Sequence, residues 1–592
     1  MPSVEGISAV HGGEEVNQMA AVEPLQRLAA SLVVVRASGQ LGDAQRRYPQ
    51  WELSNAELQR LLAAGVGGVI LLGGSATELR LRCAQLGRWG GQPLLLCADV
   101  EEGVGQRFPG ASWLVPPLGL GMLYSRDRQR ALHLAERYGR CTGREARALG
   151  LNWVLAPVCD VNNNPANPVI NVRAWAEQPA AAAELVAAFC QGLQAEGVLG
   201  CAKHFPGHGD TSSDSHLELP LLPHDRQRLE AIELPPFRAA IAAGVATVMT
   251  AHLLLPALDP QRPATLSSAV LTGLLRQELG FNGLVVTDAL MMEAISASYG
   301  PGEAAVLALE AGADLVLMPA DADAAIAALV AAVQSGRLSR ERLEASAQRR
   351  RTALERLPIG PIEPLQPIEA IEPLEPDNAL ALELIEACGI RRGAGMLGPG
   401  MVGPGVLNAE LVGGGLGNGP GLNLVRLDDS LAAPFLPSDA PALALAERAG
   451  YRSLLLERRS PSPWSDNPQA PLDLARLDLA GLNLAEPQLA NREELPVLLQ
   501  LFVRGNPFRG SAGGGEPWAA VVGQLQRAKR LAGLVVYGSP YLWQELEPLL
   551  DAATPAVYCP GQMPLAQTWA LQSLGLGNTD AARDRRAGEF TD

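Results

Sequence analysis

Two stretches of the chain, GVATVMTAH at residues 244–252 and GLVVTDAL at residues 283–290, decide the fold. Each opens on glycine, runs through β-branched and aliphatic residues without alternation, and delivers a polar group near its end, His252 in one and Asp288 in the other. A run that is apolar at every position is the signature of a parallel strand covered on both faces. Working outward, the same unit recurs as LAASLVVVRAS from Leu28, GVGGVILLGG from Gly65, PLLLCADVE from Pro93, LNWVLAPVCD from Leu151, GVLGCAKHF from Gly197 and ADLVLMPAD from Ala313, with Ala/Leu-rich segments of helical period between them. Eight strands with intervening helices over roughly 330 residues is the count for a (β/α)8 barrel. A doubly wound open sheet is the alternative, though it usually has fewer strands and a different ligand fingerprint.

The boundaries follow from composition. Residues 1–27 form an N-terminal extension, and the barrel occupies 28–356, closing with an Arg- and Glu-rich helix from Ser339 to Arg356. The next stretch, LPIGPIEPLQPIEAIEPLEP at 357–376, is too rich in proline to join a helix or a central strand and reads as a stiff linker. Residues 377–592 are expected to form a smaller α/β domain, with a helix at Asn378–Cys388, a Gly/Pro-rich region, and strands in LPVLLQLFVRG, LAGLVVYGSP and TPAVYCPG. Within it GAGMLG, residues 393–398, has the form of a dinucleotide fingerprint. No strand is read before it, more Gly and Pro follow it in place of a helix, and Gly413 stands where an acidic residue would be needed.

A formal net charge of −16, from 63 acidic and 47 basic residues, argues against a nucleic-acid binder or a partner for anionic membranes. No apolar run reaches the roughly 18 residues of a membrane span. The first 25 residues carry Glu5, Glu14, Glu15 and Glu23 and lack the basic and apolar regions of a signal peptide, so a cytoplasmic protein is expected. The eight cysteines form no CxxC pair and read as buried thiols.

Barrel enzymes draw their chemistry from the C-terminal ends of strands. The polar residues there are Asp99, Glu101 and Arg107 after the third strand, Asp160 and Arg173 after the fourth, Lys203, His204, Asp214 and His216 after the fifth, His252 after the sixth, and Asp288 after the seventh. Four of the seven histidines, His204, His208, His216 and His224, fall within 21 residues. A zinc site of the HEXXH type would need a helix, which HFPGH cannot form, so no metal is expected. Asp214 and His216, two apart, can share one side of an extended loop, where the carboxylate would orient the imidazole and raise its basicity; otherwise the aspartate caps a turn and the histidine packs beneath it. Lysine usage singles out Lys203, because Lys203 and Lys529 are the two lysines among 47 basic residues. A compact ammonium offers rotatable donors that guanidinium does not imitate. Asp288 either caps the following helix or, with a proton donor from a neighbouring loop, supplies the nucleophile of a retaining glycosidase.

The stretch KHFPGHGDTSSDSH, Lys203 to His216, resembles the hallmark of the glycoside hydrolase family 3 β-N-acetylhexosaminidases over 14 consecutive positions. The similarity extends over the barrel to NPVINVRAW around Arg173, VMTAH, PATLS and GLVVTDALMM. The resemblance implies Asp288 as nucleophile and His216 as acid/base assisted by Asp214. It also implies Asp99, Arg107, Arg173, Lys203 and His204 as ligands of the terminal sugar. Its substrate class is an amino-sugar oligosaccharide or muropeptide, processed in cell-wall recycling, and it implies no cofactor. A β-glucosidase or β-xylosidase of the same family and a phosphorylase are the alternatives. One stretch departs from the family's D-x-E-G-G-x-V-x-R. This chain reads DVEEGVGQR, with Glu102 and Val104 in place of the glycine and the usual basic residue, while Asp99 and Arg107 keep their spacing. The C-terminal region resembles, more faintly, the α/β sandwich that follows the barrel in two-domain relatives, and is expected to supply no catalytic group.

Overall fold

The computed structural model describes residues 24–211, 213–215, 218–358, 372–393, 416, 419–427, 436–457, 495–504 and 516–577. All eight expected barrel strands are present: β1 (Val33–Ser38), β2 (Gly68–Leu72), β3 (Leu95–Ala98), β4 (Trp153–Val154), β5 (Leu199–Phe205), β6 (Thr247–Thr250), β7 (Leu284–Val286) and β8 (Val316–Leu317). They pair in parallel in sequence order, and β8 pairs with β1. A further parallel bridge between Val286 and Leu315 joins the two ends of the sheet. The strands are buried on both faces, with β5 buried at every position, which is why their sequences show no alternation. One expectation shifts at the entrance. Residues 24–30 are helical and β1 begins only at Val33, because Leu25 and Ala29, one turn apart, both face the core.

Helices cover the outside of the barrel. Several begin with a serine whose hydroxyl accepts from the third helical N–H while a glutamate there reaches back to the serine N–H, as at Ser54 with Glu57 and Ser75 with Glu78. The helix expected at the end of the barrel spans Arg340–Glu355 and is capped by Ser339. Most of the proline-rich stretch lies outside the described residues, as does the N-terminal extension up to residue 23.

The second sheet has six strands in the order β11-β10-β12-β13-β14-β9. The three strands expected from sequence are β12 (Val497–Val503), β13 (Leu531–Gly538) and β14 (Ala556–Cys559). Three more, β9 (Ile390–Arg392), β10 (Gly421–Leu427) and β11 (Tyr451–Glu457), lie in what reads as a Gly/Pro-rich region. A strand therefore does precede Gly393. It is an antiparallel edge strand against β14, so it cannot present the following loop at the C-terminal end of a parallel strand, and residues 394–398 lie outside the described residues. Alternate residues of this sheet point to different layers. Leu499, Leu501, Leu534 and Val536 pack with helices Trp518–Arg527 and Pro540–Leu546, whereas Leu498, Phe502, Val535 and Tyr537 join an apolar cluster that runs without a break into the barrel. All eight cysteines are free and buried. Among the described residues no helix is long and apolar enough to cross a membrane.

Candidate active site

The barrel's C-terminal end gathers most of the residues named from sequence. β3 runs into a loop, residues 99–107, whose left-handed residue is Gly103, at φ +79°. A Cβ there would lie 2.5 Å from the Ser112 carbonyl oxygen, so glycine is required at this position. Glu102 is outside the left-handed region, so a side chain in place of the family's glycine meets no backbone restriction there. At the start of the loop, Asp99 is 38% exposed and takes a 2.6 Å bond from Lys203 Nζ, an ammonium that is itself only 1% exposed. At its far end, Arg107 Nε donates to the Asp99 carbonyl at 3.1 Å.

Glu101 links these groups. Its Oε1 lies 2.6 Å from Lys203 Nζ, and both its oxygens accept from Arg173, at 2.8 Å from Nε and 2.8 Å from Nη2. Burial alone would push the Glu101 carboxyl up, but Arg173 and Lys203 together outweigh it and hold it well below the usual carboxylate range. Lys203 is likewise desolvated, yet Asp99 and Glu101 hold its ammonium charged and raise its pKa. Asp99, Arg173 and Lys203, expected as sugar ligands, thus form one charged unit through Glu101. Sequence reading names Glu101 only as a strand-end residue, with no role.

A second carboxylate, Asp160, organises the histidine-rich loop. It is fully buried after β4 and accepts from His204 Nδ1 at 2.8 Å and from the His208 backbone N–H at 2.7 Å. Burial raises its pKa, and the two histidines outweigh that effect and lower it. His208 is buried, its ring nitrogens 2.7 Å from Thr211 Oγ1 and 3.0 Å from Ser215 Oγ. Burial pushes its pKa down to about 4, so it stays neutral near pH 7 and serves as a brace. His224 binds Asp210 at 2.9 Å, and Asn167 Nδ2 donates to the carbonyls of His208 and Gly209. The histidine cluster therefore divides into His204 beside the charged unit, and His208 and His224 as supports of the loop. Ser215 and the buried Asp214 are held next to position 216, and His216 itself lies outside the described residues.

Asp288 follows β7 and is partly exposed. Its Oδ1 accepts from the Ala289 N–H at 2.8 Å, its own N–H approaches Thr250 Oγ1 at 3.4 Å, and its charge is felt at Cys201 and His208. His252 faces Thr265 Oγ1 at 2.8 Å and the Ala289 carbonyl at 3.0 Å, and so supports the turn after Asp288. Among the described residues no group of three or more His, Cys, Asp or Glu side chains is placed to hold a metal ion.

With this geometry in place, the family model "Glycosyl hydrolase family 3 N terminal domain" matches residues 14–353, more than half of the chain, and "Bacterial Glycosyl hydrolase family 3 C-terminal domain" matches residues 418–575. The chain belongs to glycosyl hydrolase family 3. Within the family it is 38% identical over 289 residues to the beta-hexosaminidase A of Pseudoalteromonas piscicida, a match covering 45% of this chain and 48% of that protein. It is 40% identical over 228 residues to a beta-hexosaminidase of Stenotrophomonas maltophilia, covering 38% of this chain and 67% of that protein. A solved family 3 beta-N-acetylglucosaminidase from Paenibacillus sp. str. FPU-7 is 29% identical with a TM-score of 0.68, covering 93% of this chain and 96% of that one. The chain thus matches about half the length of one curated relative and nearly the whole of a solved family member.

Proposed function

We propose that the chain is a retaining β-N-acetylhexosaminidase that removes terminal β-linked N-acetylglucosamine. The observation that carries the reading is the unit of Lys203, Glu101, Arg173 and Asp99 on the same barrel end as Asp288. It offers a neutral sugar a row of fixed donors and acceptors. Lys203 has given two of its three N–H groups to carboxylates, which leaves one for a sugar hydroxyl, and half-exposed Asp99 can accept from another. Arg107, Arg173 and His204 complete the grip.

In the first step the Asp288 carboxylate attacks the anomeric carbon and the bond to the leaving oxygen breaks. His216, oriented by Asp214, passes its proton to that oxygen. In the second step neutral His216 takes a proton from water, the water oxygen attacks the same carbon, and Asp288 is released. Two inversions give retention. The substrate we favour is a muropeptide fragment in the cytoplasm; the resemblance of Lys203–His216 supports this, and the free buried cysteines are compatible with it.

The test is a panel of aryl β-glycosides assayed in phosphate and in phosphate-free buffer. The reading requires fastest turnover of the N-acetylglucosaminide, free sugar as product in both buffers, and the β-anomer released first. A faster glucoside or xyloside would move the chain to the glucosidase branch. Sugar 1-phosphate formed only in phosphate would make it a phosphorylase.

A further inference from the structure

We propose that Arg504, in the second domain, is a positioning residue of the sugar pocket and acts through Glu102. The inference rests on the proposed reading only in taking the 99–107 loop as sugar-binding. Arg504 follows β12, at the C-terminal end of a parallel strand, and its Nη2 lies 2.6 Å from Glu102 Oε1. Both side chains are essentially buried, at 2% and 1% exposure. The other Glu102 oxygen accepts from the Trp113 indole N–H at 3.0 Å. Glu102, one of the residues that depart from the family pattern, is therefore grasped by the second domain.

The position of the pair gives it its effect. Glu102 is bonded directly to Glu101, whose carboxylate fixes Lys203 and Arg173. The Glu102 backbone N–H donates to Gln106 Oε1 at 3.0 Å and its carbonyl accepts from the Leu114 N–H at 2.8 Å, so it also anchors the turn that carries Arg107. A buried carboxylate left with one neutral donor would turn toward water and draw the Glu101–Glu102 peptide with it.

Other contacts bring the second domain to the same side of the barrel. Tyr541 and Asn162 Nδ2 are hydrogen-bonded at 2.6 Å over the loop after β4, Arg126 Nη2 donates to the Ala387 carbonyl at 3.1 Å, and the Asp377 N–H donates to Ser112 Oγ at 2.6 Å. These fix the docking. Arg504 alone among them touches the 99–107 loop.

The test is a double-mutant cycle in the full chain with R504M, E102Q and E102Q/R504M. It is read on the aryl glycoside that the wild type turns over fastest, with the corresponding free monosaccharide as inhibitor. Expected is a rise of about tenfold in KM and in the inhibition constant for R504M, with a smaller change in kcat, and no further rise when R504M is added to E102Q. Where R504M alone does not fold, R504K is compared with the wild type, and E102Q/R504M, with no charge left to bury, is compared with E102Q. A folded single variant whose melting temperature falls while KM and the inhibition constant stay at wild-type values would reduce the pair to a structural contact. Equal rises from the Arg504 variant in both backgrounds would show that Arg504 acts elsewhere than through Glu102. Either result overturns the proposal. Should a glucoside be the fastest substrate, the functional reading fails and the same cycle is read on that glucoside.

Discussion

Glu101 and Asp314 are both buried carboxylates that serve several cations, but they sit at opposite ends of the barrel. Asp314 precedes β8, at the N-terminal end. It accepts from Arg276, from Arg349 Nη1 at 3.0 Å, from Ser346 Oγ at 2.8 Å and from the Val285 N–H at 3.0 Å. Each of those donors belongs to an element that closes the barrel: the helical run Ala269–Glu278, the last helix Arg340–Glu355, and β7. Glu101 has the same kind of partners, but one of them, Lys203, passes the connection on to Asp99, which is open to solvent. The first cluster ties the closing elements together, and the second lies at the end where barrel enzymes bind their ligands. Neither burial nor exposure distinguishes the two, since Arg349 beside Asp314 is 37% exposed and Asp99 is 38% exposed; the end of the barrel at which each cluster lies does.

The sharpest break at the active end is Asp288→Asn. The amide cannot form the glycosyl ester, so turnover is expected to fall by about four orders of magnitude while sugar affinity and melting temperature stay near wild type. A 2-fluoro or 5-fluoro glycosyl inhibitor that labels a residue other than Asp288 in the wild type would refute the assignment. Glu101→Gln tests the linking carboxylate. It leaves Lys203 and Arg173 without the charge that aligns them, and displacement of the bound sugar by an ångström is expected to cost about a hundredfold in kcat/KM. Unchanged kinetics would mean that Asp99 alone orients Lys203.

At the closing end the expected effect changes kind. Asp314→Asn removes the charge that serves Arg276, Arg342 and Arg349, and should destabilise the chain by about 3 kcal/mol, as when a buried pair loses one partner. Below its lowered melting temperature, kcat and KM should equal the wild-type values. Kinetic losses at 25 °C in a folded variant would erase the distinction between the two ends.

The same contrast explains what the sequence could show. All eight barrel strands were legible because each carries a run of aliphatic or β-branched residues without strict alternation, and Lys203, His204 and Asp288 stand out as polar residues at the ends of such runs. β10 and β11 were not, because Asn423, Arg426, Arg452 and Ser453 interrupt their apolar pattern. In the folded chain Asn423 is paid for by partners distant in sequence, donating to the Ala442 carbonyl at 3.0 Å and accepting from Gln500 Nε2 at 2.7 Å. Arg504 lay beyond reach for the same reason: its partner is 402 positions away, and nothing local separates it from any other arginine after a strand. The role of His208 as a brace was hidden by its resemblance to its neighbours, since only burial shows that it stays neutral.

The smallest expected effect belongs to a carboxylate with a sparse set of partners, beneath the loop after β5. Glu233 is buried against Gly207, where a Cβ on the glycine would lie 2.7 Å from its own, and its nearest cation is Arg228 at 3.4 Å. Burial pushes its carboxyl up to about 7 from the usual 4.5, Asp210 adds to the rise, and Arg228 opposes it. Its folded pKa lies above its unfolded one, so its contribution to stability is complete below about pH 4.5 and is lost as the pH rises through about 7. Glu101 has the opposite sign: its folded pKa lies below 4.5, and its contribution is present above that value and lost only in acid. Between pH 5 and about 6.5 His208 acts against Glu233, because its folded pKa of about 4 lies below its unfolded value and its contribution grows as the pH rises, so the Glu233 effect is read as a difference between the wild type and a Glu233 variant. Glu233→Gln, which has no proton to lose, keeps the His208 contribution and loses the Glu233 one, so its melting temperature should rise relative to the wild type between pH 5 and pH 7. Parallel curves for the two proteins would mean that Glu233 is already ionised at pH 5, with Arg228 as a closer partner than 3.4 Å suggests.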